Sequence, residues 1–100
     1  MTPYIAELQN VIRKLYGVES AHLRGVPVKE TFQGKTVWDG TVEVFHLVGH
    51  PETETAYAWT YDTGKGRRKS VAVLEVPPVD SPHTAVRAAI LKDVRQHGKA

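Results

Sequence analysis

The chain of 100 residues contains no cysteine. That removes disulfides, thiol nucleophiles, redox switches and thiolate metal sites together. It suits a reducing cytosol. Long apolar runs are missing too: no stretch approaches the roughly 20 residues a membrane helix needs. Glu7, Gln9 and Asn10 interrupt the N-terminal segment where a secretory leader would be continuously apolar, so a cytoplasmic protein is expected. A dominant charge is lacking. The formal net charge is +2, which accommodates a polyanion without requiring one. The serines are Ser20, Ser70 and Ser81, and none sits in a G-x-S-x-G elbow. Gly64-Lys65-Gly66 lacks both the spacing and the following helix of a phosphate loop.

What is present describes an ordinary globule. Hydrophobic residues make up 41% and charged residues 24%, the balance of a folded domain rather than a disordered tail. The length suits a single domain over residues 1–100. Tyr4, Ile5, Leu8, Val11, Ile12, Leu15 and Tyr16 recur at three- and four-residue spacing, which predicts a helix over 3–16. Thr2 precedes it as N-cap, Pro3 opens it and Gly17 stops it. Ala85, Val86, Ala89, Ile90 and Val94 predict a second helix over 82–96, capped by Ser81.

Between the helices lie four strand patterns. The first, 20–32, changes phase near Gly25, where a bulge is expected, and Pro27 marks it as an edge strand. Gln33-Gly34 is a tight turn before the second strand, 36–48. The third, 55–61, alternates cleanly. The fourth, 68–76, is apolar on both faces through Val71-Ala72-Val73-Leu74, so it is central or covered twice. The expected fold class is α+β in the order α-β-β-β-β-α. Short connections favour a four-stranded antiparallel meander, with both helices packed on one face.

Three clusters are candidates for function. Tyr57, Trp59 and Tyr61 line one side of the third strand, with Phe45 placed beside them. They are either core beneath the helices or an exposed row suited to an interface or to base stacking. Lys65, Arg67, Arg68 and Lys69 form a basic hairpin, which either tracks a nucleic-acid backbone or keeps a hairpin tip solvated. His22, His46, His50, His83 and His97 show no metal-ligand spacing, so neither metal nor cofactor is expected. His22, His46 or His50 could supply a polar group to a small-ligand pocket between sheet and helices. Asp39, Glu43 and Glu75 could approach one another on the sheet, but spacing does not make them an acid–base pair.

Pro27-Val28-Lys29-Glu30-Thr31-Phe32, Val37-Trp38, Val42-Glu43-Val44-Phe45, Gly49-His50-Pro51, Tyr57-Ala58-Trp59 and Val71-Ala72-Val73-Leu74-Glu75 before Pro77-Pro78 resemble a family of small bacterial stand-alone domains. That resemblance implies a fold but no activity, cofactor or catalytic residue. The element order also resembles the double-stranded-RNA-binding fold, α-β-β-β-α. The lysine-rich opening of that family's second helix is replaced here by Asp80-Ser81-Pro82-His83-Thr84-Ala85. The expected role is a non-enzymatic intracellular interaction module that forms a homodimer through the sheet or its edge. Nucleic-acid binding through the basic hairpin and a small-ligand pocket or minor enzyme are the alternatives.

Overall fold

The computed structural model describes residues 3–62 and 68–97. Helix α1 spans Pro3–Tyr16. Strands β1 (Ser20–Phe32), β2 (Lys35–Leu47), β3 (Thr55–Asp62) and β4 (Arg68–Leu74) follow, then helix α2 (Pro82–His97). The strands form one antiparallel sheet in the order β1-β2-β3-β4. No described helix is long and apolar enough to cross a membrane.

Local chemistry sets the punctuation. Gly17 adopts φ 71° and its amide donates to the Arg13 carbonyl at 2.8 Å, closing α1 in the left-handed conformation that glycine tolerates best. Gln33 and Gly34 both have positive φ, as a two-residue hairpin turn with primed geometry requires. The Ser81 hydroxyl accepts from the Thr84 amide at 3.2 Å, and the Thr84 hydroxyl accepts from the Ser81 amide at 2.9 Å. This reciprocal cap satisfies two amides at the start of α2.

The helices cover opposite faces, not one face as the sequence suggested. Leu8 and Ile12 of α1 pack with Phe45, Leu47, Ala56, Ala58 and Ala72. Ala85 and Val86 of α2 pack with Val28, Val42, Val44, Tyr57 and Trp59. Ala56, Tyr57, Ala58 and Trp59 are consecutive in β3, and successive strand side chains point to opposite faces. The reason for the split is size. On the α1 side, β3 and β4 present alanines, which leave room for large helix residues. On the α2 side they present rings and valines, and α2 answers with Ala85, Val86, Ala88 and Ala89. Large meets small on both faces, and interiors fill to crystal-like density by such pairing.

The two helices are also staggered along the strands. β2 pairs with β3 only from Glu43 to His46. Beyond that, the far half of β2 pairs with β1 alone, and β3 from Trp59 onward pairs with β4 alone. The two hairpins therefore part toward their tips. On the α2 side, Trp38 and Trp59 bridge the gap, their rings edge-to-face with centroids 6.0 Å apart. The core under α2 spans this far half, and the core under α1 spans the near half, where β1 begins and β2 ends. Each face thus keeps one open half.

The bulge and the end of β4 lie elsewhere than the sequence pattern placed them, while β2 starts at Lys35 and ends at Leu47, β3 ends at Asp62 and α2 ends at His97, each one residue from its expected bound. The first register shift of β1 lies between His22 and Arg24 rather than at Gly25, and leaves Leu23 unpaired; a second follows Glu30. β4 ends at Leu74 rather than Val76. There Val76 turns back on the Leu74 carbonyl and Val79 donates to the Val76 carbonyl, both at 2.9 Å.

Candidate interaction surface

The near half of the α2-side face is uncovered. β1 is an edge strand whose only neighbour is β2, so one row of its amides and carbonyls faces outward. Pro27 has no amide hydrogen, which leaves residues 20–26 as the edge segment with amides to donate; at its start the Ser20 carbonyl already accepts from Gln9 Nε2 of α1 at 2.9 Å. Within that segment the bulge holds Leu23 outward, 53% exposed. Bulges commonly re-aim a side chain in this way. Ala21 and His46 pair across the strands and are both exposed. Val48 is 58% exposed, and its amide donates to the Glu19 carbonyl at 2.9 Å, which ties it to the start of β1. Leu15, in the last turn of α1, is 59% exposed. The large exposed hydrophobics among the described residues thus gather around the α1–β1 junction.

A polar cluster borders this patch. The buried Tyr57 ring directs its hydroxyl at the Glu75 carboxylate, to which it donates a hydrogen bond. Burial raises the Tyr57 phenol far above its ordinary range. The hydrogen bond to Glu75 and the Glu75 and Asp80 charges add to the rise, and Arg24 opposes it. On the other side of the junction, Arg13 forks onto Glu19 through Nε at 2.6 Å and Nη2 at 2.7 Å. Each group stabilises the charge of the other: Arg13 is shifted upward and Glu19 downward, chiefly through that hydrogen bond.

The candidates from the sequence fall in several places. Tyr57 and Trp59 are 3% and 2% exposed beneath α2, and Tyr61 is half-buried there. Phe45 is fully buried beneath α1, on the opposite face, because it pairs with Ala56 rather than sharing the parity of Tyr57. The rings therefore form core on two sides and not one open row. Lys65 and Arg67 lie outside the described residues. Arg68 opens β4, and Lys69 is exposed one residue on.

The remaining acidic and imidazole groups separate. Glu30, in the edge strand and 8% exposed, accepts from Arg87 Nε of α2 at 2.9 Å. Glu43, 7% exposed, lies against His22, and Glu75 pairs with Tyr57. Asp39 stays exposed across from Lys29. The three carboxylates Asp39, Glu43 and Glu75 thus do not meet. His50 accepts from the Glu52 amide at 3.1 Å and meets the edge of Tyr16. Among the described residues, no three metal-ligating side chains come together. Parity counting through the displaced bulge is the one sequence signal that could have found Leu23 and the His22–Glu43 contact. Nothing in spacing foretold the Tyr57–Glu75 pair.

Comparison of the chain with protein-family models, with curated proteins and with solved structures found no match.

Proposed function

We propose that this protein is a cytoplasmic interaction module that self-associates, two copies meeting at the near half of β1 and the apolar patch beside it. The observation that carries this reading is Leu23, held outward by a bulge in an edge strand and flanked by exposed Ala21 and Val48. A second copy is the natural occupant on symmetry grounds. An antiparallel edge satisfies itself across a two-fold axis, since each outward donor meets an acceptor of the same segment. The operation that pairs residues 20–26 also brings the two patches together. The centre of each face lies under a helix, so the contact uses the edge of β1 together with the open patch beside it.

Light scattering coupled to size-exclusion chromatography tests the reading. The wild type is expected to run as a dimer at high micromolar concentration. Full burial of a leucine contributes about 2 kcal/mol, and Leu23 has about half of that left to gain. Counted in both copies this is about 2 kcal/mol, or roughly thirtyfold in the dissociation constant at 1.4 kcal/mol per decade. Leu23→Asp, which adds two carboxylates to the contact, should weaken association by at least that factor and elute as a monomer. A wild type that stays monomeric throughout rules the reading out.

A further inference from the structure

On the α1 side, at the margin of the core under α1, lies a second, chemically different feature. Glu43 sits in the middle of β2 with its carboxylate buried, and His22 Nε2 lies 2.7 Å from its Oε1. A carboxylate only accepts, so the imidazole donates from Nε2, and in the neutral ring Nδ1 then holds the free lone pair. Nδ1 has no hydrogen-bond partner among the described residues. The ring is tilted against Phe45 at 5.4 Å, which limits its rotation, and its side chain is 32% exposed. Gly25 makes the arrangement fit: a Cβ there would stand 2.9 Å from Glu43 Oε1 and 3.0 Å from the Thr41 methyl. His22 is itself exposed, and so are Gly25, Pro27 and Thr41 around the Glu43 carboxylate.

We propose that His22, oriented by Glu43, is a reactive imidazole that takes acyl groups from activated esters and thioesters. In the reaction Nδ1 forms a bond to the carbonyl carbon, and the bond to the aryloxide or thiolate leaving group breaks. The acyl-imidazolium carries its remaining proton on Nε2, against the Glu43 carboxylate that stabilises the new charge. Water then attacks the acyl carbon, the N–C bond breaks, the carboxylic acid leaves with the neutral imidazole restored, and the remaining proton passes through solvent to the released aryloxide or thiolate. His22 is the group that touches the substrate, and Glu43 is a positioning residue. This chemistry does not depend on association, since His22 and Glu43 belong to one copy.

The probe is p-nitrophenyl acetate, read peptide by peptide with mass spectrometry during the first minutes of reaction. His46 is the internal reference. It is exposed on the same sheet, and among the described residues no carboxylate holds it. His22 should acetylate about tenfold faster than His46, the scale on which a carboxylate partner tunes an imidazole. Glu43→Gln should bring the two rates together while leaving His46 unchanged. His22→Gln should remove most of the p-nitrophenolate release and spare the fold, as checked by circular dichroism. Equal acetylation of His22 and His46 in the wild type overturns the proposal. So does a Glu43→Gln variant whose His22 reacts at the wild-type rate.

Discussion

Gly40 in β2 gives the sharpest test of how the far half is packed. Its backbone φ is not positive, so chain conformation does not require glycine there. Space does. A Cβ would stand 2.9 Å from Trp38 Cζ2 and 3.0 Å from Cη2, closer than carbon atoms pack. The Trp38 ring cannot retreat without leaving Trp59, against which its edge-to-face contact closes the gap between the hairpins. Overpacking of this kind costs about 1–3 kcal/mol. Replacing glycine by alanine also removes freedom from the unfolded chain, which stabilises by about 0.4–1 kcal/mol. The clash wins, and Gly40→Ala should destabilise by about 1–2 kcal/mol. At roughly 4–8 °C per kcal/mol for a domain of this size, Tm falls by about 4–16 °C. The same substitution made in a Trp38→Leu background meets no ring, and the sign should reverse to a gain of about 0.5 kcal/mol. Thermal unfolding followed by far-ultraviolet circular dichroism on the four proteins of this cycle reads the coupling directly. A rise in Tm on Gly40→Ala in the wild type refutes the packing argument, as does an equal shift in both backgrounds.

Three further outcomes follow from the polar contacts. Arg87→Ala should lower stability in urea unfolding, because it strands the buried Glu30 carboxylate; the loss stays modest because Arg87 itself is 62% exposed. Arg87→Met with Glu30→Leu should recover most of the loss. Ser81→Ala removes the hydroxyl that accepts from the Thr84 amide and should lower stability by about 1 kcal/mol in the same assay. The third concerns alkaline pH. Folded Tyr57 holds its phenolic proton more tightly than the unfolded chain does, whose ordinary value is 10.0. Its contribution is therefore complete below pH 10 and declines as pH rises beyond that. Tyr57→Phe should lose less stability than the wild type in a denaturant series carried from neutral to strongly alkaline pH, and parallel losses count against the assignment.

Much of the architecture is written locally in the chain. The 3.6-residue stripe from Tyr4 to Tyr16, the Pro3 and Gly17 signals, the Gln33-Gly34 turn and the clean alternation of Thr55 to Tyr61 each depend on neighbours in sequence, and each lies where its pattern places it. Sidedness does not depend on neighbours alone. Strand four carries apolar residues on both faces, which already called for two covers, and Ala56-Tyr57-Ala58-Trp59 sorts small from large by parity. The small side accepts Leu8 and Ile12, and the large side accepts the alanines of α2. Element order pointed to helices on one face because it carries no information about which face each stripe fits. The site was harder still to read. Moving the bulge two residues, from Gly25 to Leu23, reverses the face of Arg24 between them. That displacement takes Leu23 out of the pairing and sets Gly25 rather than Arg24 opposite Glu43, which leaves His22 room to reach the carboxylate. The Tyr57–Glu75 and Glu30–Arg87 contacts join residues 18 and 57 positions apart, and only the assembled fold brings them together.

Amide hydrogen exchange at two protein concentrations tests the central proposal most directly. If two copies pair along the near half of β1, protection of amides in residues 20–26 rises between low and high micromolar protein, while residues 28–32 beyond Pro27 exchange at one rate throughout. Leu23→Asp should abolish the difference. Exchange across 20–26 that ignores concentration in the wild type contradicts the account and leaves β1 an ordinary capped edge.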